Sequence, residues 1–132
     1  DNSLNALVEN SRTELEILEL SYCSELTDQG LFAFAEHNKG NSFRELYLNA
    51  LINVSNEGFT SILNNWTKTL ILLRMSLNDQ FDINGAVCKA IGKWFKLEFL
   101  DLIGCTNITD DGLNNLTNGS IESKEGEKLV IK

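Results

Sequence analysis

The chain has 132 residues, and 42% of them are hydrophobic, which is enough for one domain with a continuous core. Its 19 acidic and 11 basic residues give a net charge of −8. The basic residues are scattered, so we expect no direct binding of nucleic acid, whose phosphates such a surface repels. Apolar runs such as residues 70–73 are far below the roughly 18 residues of a membrane helix, and we expect no membrane span.

A short phrase occurs twice in the chain. It is LEILELSYCSELTDQGL at residues 15–31 and LEFLDLIGCTNITDDGL at residues 97–113. Two weaker copies lie between them, and the equivalent leucines, spaced by 28, 27 and 27 residues, are Leu18, Leu46, Leu73 and Leu100. A period of this size with the pattern L-x-x-L-x-L predicts a leucine-rich repeat.

The repeats predict an α/β fold. In each one, a short strand buries alternate residues such as Leu18 and Leu20, and a helix then returns antiparallel to it. We therefore predict a leucine-rich repeat solenoid, a horseshoe segment with parallel strands on its concave face and helices on its convex face. Thr27-Asp28 and Thr109-Asp110 precede helices, and we interpret them as caps of those helices.

We expect one segment over residues 1–132, with about four repeats and a partial repeat at each end. A fifth strand is predicted at residues 129–131. Leu4, Leu7 and Val8 have the spacing expected at the end of a helix from a preceding repeat. The segment is therefore expected to be part of a longer solenoid.

The three cysteines are expected to be free. Cys23 and Cys105 occupy the same position three repeats apart, where strands spaced by about 4.8 Å place them roughly 15 Å from each other, too far for a disulfide. Cys88 lies in a predicted helix. Free thiols favour the cytoplasm or nucleus. Five Asn-x-Ser/Thr sequons, a motif of low specificity, leave an extracellular domain open, and they begin at Asn53, Asn65, Asn107, Asn115 and Asn118.

Motifs for catalysis are missing from the sequence. His37 is the single histidine, no Cys-x-x-Cys or His-x-x-x-His pair occurs, and the glycines are isolated at bends rather than grouped in a phosphate-binding loop. We therefore expect no enzyme, no metal, no cofactor and no small-molecule substrate.

The phrase L-x-x-L-x-L-x-x-C-x-x-[IL]-T-D-x-G-L resembles the cysteine-containing subclass of leucine-rich repeats, and this resemblance covers nearly the whole chain. The subclass is best known from the substrate-receptor arms of F-box ubiquitin ligases. Similar repeats occur in the fungal mitotic-exit antagonist and in the leucine-rich subunit of the yeast nucleotide-excision-repair ligase. The resemblance implies a protein-binding arm, which would reach a ligase adaptor through parts outside these 132 residues.

A protein partner is expected on the concave face. The strand register places one set of residues on that face, and we take them as candidate contacts: Ile17, Glu19, Glu45, Tyr47, Asn49, Leu72, Arg74, Phe99, Asp101 and Ile103. An aromatic residue and an arginine at the centre are typical of interface hot spots, and Leu72, Phe99 and Ile103 are expected to be exposed. The alternative is that Arg74 stacks on Tyr47 and pairs with Asp101, so that the three satisfy one another.

Two further functions stay open. The segment could be a scaffold within a larger assembly such as a repair complex, or, third in rank, an extracellular recognition domain.

Overall fold

The structure, a computed structural model, describes residues 15–38, 43–66, 68–79, 86–92, 96–120 and 130–132. Leu4, Leu7 and Val8 lie outside these ranges. Within them, strands and helices alternate in the order β1 (Ile17–Glu19), α1 (Asp28–His37), β2 (Glu45–Tyr47), α2 (Asn56–Leu63), β3 (Leu72–Arg74), α3 (Ala86–Gly92), β4 (Phe99–Asp101), α4 (Asp110–Ser120) and β5 (Val130–Ile131). The fifth strand is thus present.

The strands form one parallel sheet in the order β1-β2-β3-β4-β5. Its register pairs Leu18 with Leu46, Leu46 with Leu73, and Leu73 with Leu100. Each helix provides the crossover that a parallel pair of strands requires. This α/β arrangement, with five strands and four helices in the described residues, is consistent with a leucine-rich-repeat-like solenoid.

The core lies between the sheet and the helices. Leu46, Leu73 and Leu100 are fully buried, and they meet apolar side chains from one face of each helix, such as Phe34 and Phe59. Burial on that side leaves the alternate strand residues, which point away from the helices, on the other face of the sheet.

The bends after β3 and β4 are each held by an inward side chain at one repeated position. Asn78 is fully buried there, where its amide donates to the carbonyls of Leu48 and Met75 and accepts from the N–H of Leu51. Cys105, one repeat later, donates its thiol hydrogen to the Met75 carbonyl. A side chain at this position therefore ties its own repeat to the preceding one.

Cys23 differs from Cys105 in its exposure. It occupies the same place in the repeat as Cys105, but it is exposed, whereas Cys105 and Cys88 are buried. The physical reason is its position in the stack: β1 is the first strand of the sheet, so no preceding strand in the described residues offers a carbonyl like that of Met75. All three cysteines are free, as predicted.

The Thr27-Asp28 pair differs from the prediction. The side chain of Thr27 makes no capping hydrogen bond to α1. Asp28 instead reaches forward to the next helix, where its carboxylate accepts from the backbone N–H and the hydroxyl of Ser55 at 2.7 and 2.6 Å. Ser55 in turn caps α2 by accepting from the N–H of Glu57. The Asp residue of one repeat thus fixes the helix start of the following repeat.

Thr109 does cap its own helix, as predicted, because its hydroxyl accepts from the N–H of Gly112 at 3.2 Å.

Gly58 makes room for this contact between repeats. A Cβ atom at this position would lie 2.2 Å from Oδ1 of Asp28 and 2.9 Å from Cγ1 of Val54. Gly58, which occupies the glycine position of the pattern in the second copy, therefore satisfies a space requirement of the Asp28 carboxylate from the preceding repeat.

We predict that Gly58→Ala lowers the free energy of unfolding by about 2–3 kcal/mol, because the methyl group displaces the Asp28 carboxylate and overpacks Val54. Asp28→Ala alone should cost about 1 kcal/mol, the usual value of a lost cap. Urea unfolding of both single variants and the double variant measures the coupling. Gly58→Ala should cost less in the Asp28→Ala background, and strictly additive losses would contradict the proposed contact.

Candidate protein-binding face

The side chains that point away from the helices form what we call the exposed sheet face. It comprises a central row and two flanking rows, read in strand order: Glu19, Tyr47, Arg74, Asp101 and Lys132; Ile17, Glu45, Leu72, Phe99 and Val130; and Ser21, Asn49, Ser76 and Ile103. The strand register brings the predicted contact residues onto this one face.

Arg74 lies at the centre of the exposed sheet face and contacts two aromatic rings. Its guanidinium carbon is 5.8 Å from the ring centroid of Tyr47 and 5.4 Å from that of Phe99. Lys132 approaches Phe99 as well, with its ammonium nitrogen 5.5 Å from the same ring centroid. Such cation–π contacts stabilise by about 0.5–1 kcal/mol at exposed sites, so they hold the cations in place while leaving their N–H donors available.

Asp101 does not pair with Arg74 within the described part of the chain. Its carboxylate accepts from the hydroxyl of Ser76 at 2.7 Å and from the N–H of Ile103 at 3.0 Å, and the residue is only 8% exposed. The expected stacking of Arg74 on Tyr47 is present, whereas the expected ion pair is absent. Asp101 is therefore a buried support of the face rather than an accessible contact.

Asn49 joins three strands by hydrogen bonds. Its side-chain oxygen accepts from the N–H of Ser76 at 2.8 Å, and its amide group donates to the hydroxyl of Ser21 at 3.0 Å. These bonds extend the backbone ladder beyond the ends of the strands. Asn49, which is half-buried, therefore stabilises the exposed sheet face by linking neighbouring strands.

Apolar exposure on this face is smaller than expected at two positions. Ile17 and Ile103 are more than half exposed, but Leu72 and Phe99 are only partly exposed. For Phe99 the reason is that the side chains of Arg74 and Lys132 cover its ring. The long cationic side chains thus cover apolar surface while their charges stay in water.

The two carboxylates of the first strands have local partners. The hydroxyl of Tyr47 donates to Oε2 of Glu45 at 2.7 Å, and the N–H of Ser21 donates to Oε1 of Glu19 at 2.8 Å. The bond to Glu45, followed by burial, raises the pKa of Tyr47, while the charge of Arg74 acts in the opposite direction. Protonated Tyr47 is thereby favoured in the folded chain.

We predict that Glu45→Gln lowers the pKa of Tyr47, because the charged acceptor that favours the phenol is removed. The test is an ultraviolet titration of tyrosinate in a Tyr22→Phe background, which leaves Tyr47 as the one tyrosine. Since the folded-state pKa is raised, this contribution to stability is complete below the unfolded value of about 10 and is lost as the pH rises through the folded value. An unchanged titration in Glu45→Gln would contradict the hydrogen bond.

Sequence reasoning missed a ridge of side chains beside the exposed sheet face. One position per repeat has a left-handed backbone, with φ of 62° at Tyr22, 51° at Ala50, 60° at Leu77 and 75° at Gly104. Left-handed backbone costs a residue other than glycine about 1–2 kcal/mol. Tyr22 and Leu77 are also well exposed, so bulky apolar groups project from the strand ends. In the sequence, the glycine at the equivalent position of the fourth repeat, Gly104, was the one indication of a left-handed backbone there.

Away from the exposed sheet face, the described residues offer few groups suited to catalysis or metal binding. His37 is exposed in the last turn of α1, with its Nδ1 atom 2.7 Å from the carbonyl oxygen of Ala33. No group of three or more metal-ligating side chains occurs among the described residues, and no helix there is long and apolar enough to cross a membrane. A groove of about 370 Å³ lies at the starts of the strands, lined by Glu16, Ile17, Arg44, Glu45, Ile71 and Glu98.

Three of the sequon asparagines have structural partners. The amide nitrogens of Asn53 and Asn65 donate to the carbonyls of Ser24 and Ala35, at 2.7 and 2.9 Å, and that of Asn107 donates to Asp79. Each of these bonds reaches the preceding repeat. A contact between repeats thus accounts for these asparagines without a glycan.

We predict that at about pH 8 a thiol-exchange reagent modifies Cys23 rapidly and the other two cysteines only after unfolding. Cys23 is exposed, whereas burial raises the pKa of Cys88 to about 11 and also raises that of Cys105, so little reactive thiolate forms. Counting released chromophore with and without denaturant gives the number of reactive thiols. Cys23→Ser should abolish the fast phase, and a fast phase that persists would contradict the assignment.

Comparison with known proteins supports the fold alone. No protein-family profile matches the chain, and no curated sequence matches it significantly. Among solved structures, one that is similar is the complex of Rad7 and Elc1 in yeast, with a TM-score of 0.61 and 21% identity over 98% of this chain. Another is actin-binding site 2 of leiomodin-1, with a TM-score of 0.58 and 15% identity over 89% of this chain. The match spans 29% of the former chain and 70% of the latter.

Proposed function

We propose that this segment is a protein-interaction module that binds a partner protein through the exposed sheet face, which we assign to the concave side of the solenoid. The observation that carries this proposal is Arg74, exposed between the rings of Tyr47 and Phe99 and without an ion pair in the described residues. Arginine and aromatic residues at the centre of a surface contribute most of the binding free energy in typical interfaces.

The arrangement is suited to binding because its central side chains are already ordered in the free protein. Cation–π contacts hold the side chain of Arg74, and a hydrogen bond to Glu45 holds the hydroxyl of Tyr47. A partner therefore meets side chains that are ordered before contact, which reduces the loss of rotamer freedom on binding.

The finer proposal is that the bound protein is a substrate of a ubiquitin ligase and that the ligase adaptor binds parts outside these 132 residues. The resemblance to the cysteine-containing repeats of F-box receptors supports it. We further propose that the segment is not an enzyme, that it needs no cofactor and that it works in the cytoplasm or nucleus, in keeping with its free thiols and its hydrogen-bonded sequon asparagines.

A scaffold within a larger assembly is the second candidate. The exposed ridge of Tyr22 and Leu77 favours it, because strained bulky residues in water gain most from a permanent partner that covers them.

We predict that Tyr47→Ala with Arg74→Ala abolishes capture of native partners from source cells, because it removes the centre of the exposed sheet face. The folding of the variant should be nearly unchanged, since both side chains contact other residues only on this face. Quantitative mass spectrometry of the captured proteins, with urea unfolding in parallel, is the measurement.

The matched control is Phe32→Ala with Lys89→Ala, which removes an exposed aromatic residue and an exposed cation from the helical side. Proteins retained by the control and lost by the first variant are the partners. If a captured partner is a substrate of a ubiquitin ligase, its half-life should be longer in cells that express only the Tyr47→Ala with Arg74→Ala variant. Equal capture by both variants would move the site off the exposed sheet face.

A further inference from the structure

The exposed sheet face has charges of opposite sign at its two ends. The acidic end is formed by Glu19 in β1 and Glu45 in β2, and the basic end extends from Arg74 in the central strand, β3, to Lys132 just after β5. A face of a chain with net charge −8 is expected to be acidic throughout. The basic end therefore stands out against the overall charge of the molecule.

The basic end is free to bind an anion. Arg74 and Lys132 lie over the same Phe99 ring at 5.4 and 5.5 Å, which holds two like charges near each other. The carboxylate of Asp101, the acidic group in the strand next to Arg74, is buried and already accepts from Ser76 and Ile103. Asp101 lies between the two cations in the strand register but forms no ion pair with either in the described residues, and a planar carboxylate fits the fork of N–H donors on a guanidinium.

The acidic end keeps acceptor capacity. Glu19 accepts a hydrogen bond from the N–H of Ser21, and Glu45 accepts one from the hydroxyl of Tyr47. A carboxylate offers about four lone-pair sites, so both can accept more. Ile17, exposed beside Glu19 on the same strand, adds an apolar contact for the stem of a long side chain.

Resting on the proposed function, we infer that the exposed sheet face binds an extended acidic–basic peptide segment of its partner, whose carboxylate lies between Arg74 and Lys132 and whose cation lies at Glu19 and Glu45. Charge complementarity selects this segment and fixes its direction across the strands.

The strand spacing sets the separation of the two charges in the partner. Strands about 4.8 Å apart place the centres of the two charged ends roughly 12 Å from each other, and an extended peptide advances about 3.3 Å per residue. The acidic and basic residues of the partner are thus about four positions apart. The positions between them cross Tyr47 and Leu72 and favour apolar side chains.

The test is a selection of random twelve-residue displayed peptides on the whole chain. It is repeated on Arg74→Glu with Lys132→Glu, and on Lys68→Glu with Lys89→Glu, a control with the same change in net charge at two exposed lysines away from the face. The wild type and the control should enrich peptides that carry an acidic and a basic residue about four positions apart. The reversed variant should lose the acidic enrichment and bind a purified wild-type peptide about tenfold more weakly or worse.

Two outcomes of the selection would overturn the inference. One is an equal content of acidic residues in the peptides selected on all three proteins, and the other is the absence of any enriched peptide on the wild type. Peptides without a charge pattern that are nevertheless lost in Tyr47→Ala with Arg74→Ala would overturn the charge inference and leave the proposed face standing. Peptides unaffected by both variants of the exposed sheet face would overturn the proposed face as well.

Discussion

The in-register parallel pairing of Leu18, Leu46, Leu73 and Leu100 is the constraint on which the other features depend. A slip of one residue in any strand would turn its buried leucine towards water and its outer residues into the core. Because the register is fixed, any side chain that recurs in the sequence also recurs in space, directly beside its counterpart. Hydrogen bonds between repeats, stacked cations and rows of surface residues all follow from this alignment.

Those repeated positions have two different uses. On the helical side of the sheet, Asn78 and Cys105 form hydrogen bonds with backbone groups of the preceding repeat. Asp28 forms hydrogen bonds at the start of the helix in the next repeat. On the outer side of the sheet, the same periodicity places Tyr47, Arg74 and Phe99 within reach of one another although the three lie on separate strands. A binding surface of this kind needs no pocket, because its chemistry is spread along a row.

The sequence predicted the strands, their order and the outward rows of the first four strands, because a period of 27 or 28 residues and an alternation of two determine them. It could not predict which of several available bonds each polar side chain makes. One of two interpretations paired Asp101 with Arg74, but its carboxylate accepts from the Ser76 hydroxyl and the Ile103 N–H. Asp28 was read as a local cap, because a pattern within one repeat gives no information on contacts between repeats. The exposure of Leu72 and Phe99 was overestimated for a related reason, since the long side chains beside them cover apolar surface.

The forward contact from Asp28 to Ser55 gives the stack a direction. The bond runs from the first repeat to the second, so its carboxylate and its hydroxyl belong to different repeats and depend on each other. Exchanging two repeats, or duplicating one, would separate matched partners even if every leucine stayed in place. The first two repeats are therefore not interchangeable units, because the junction between them has its own matched pair of side chains.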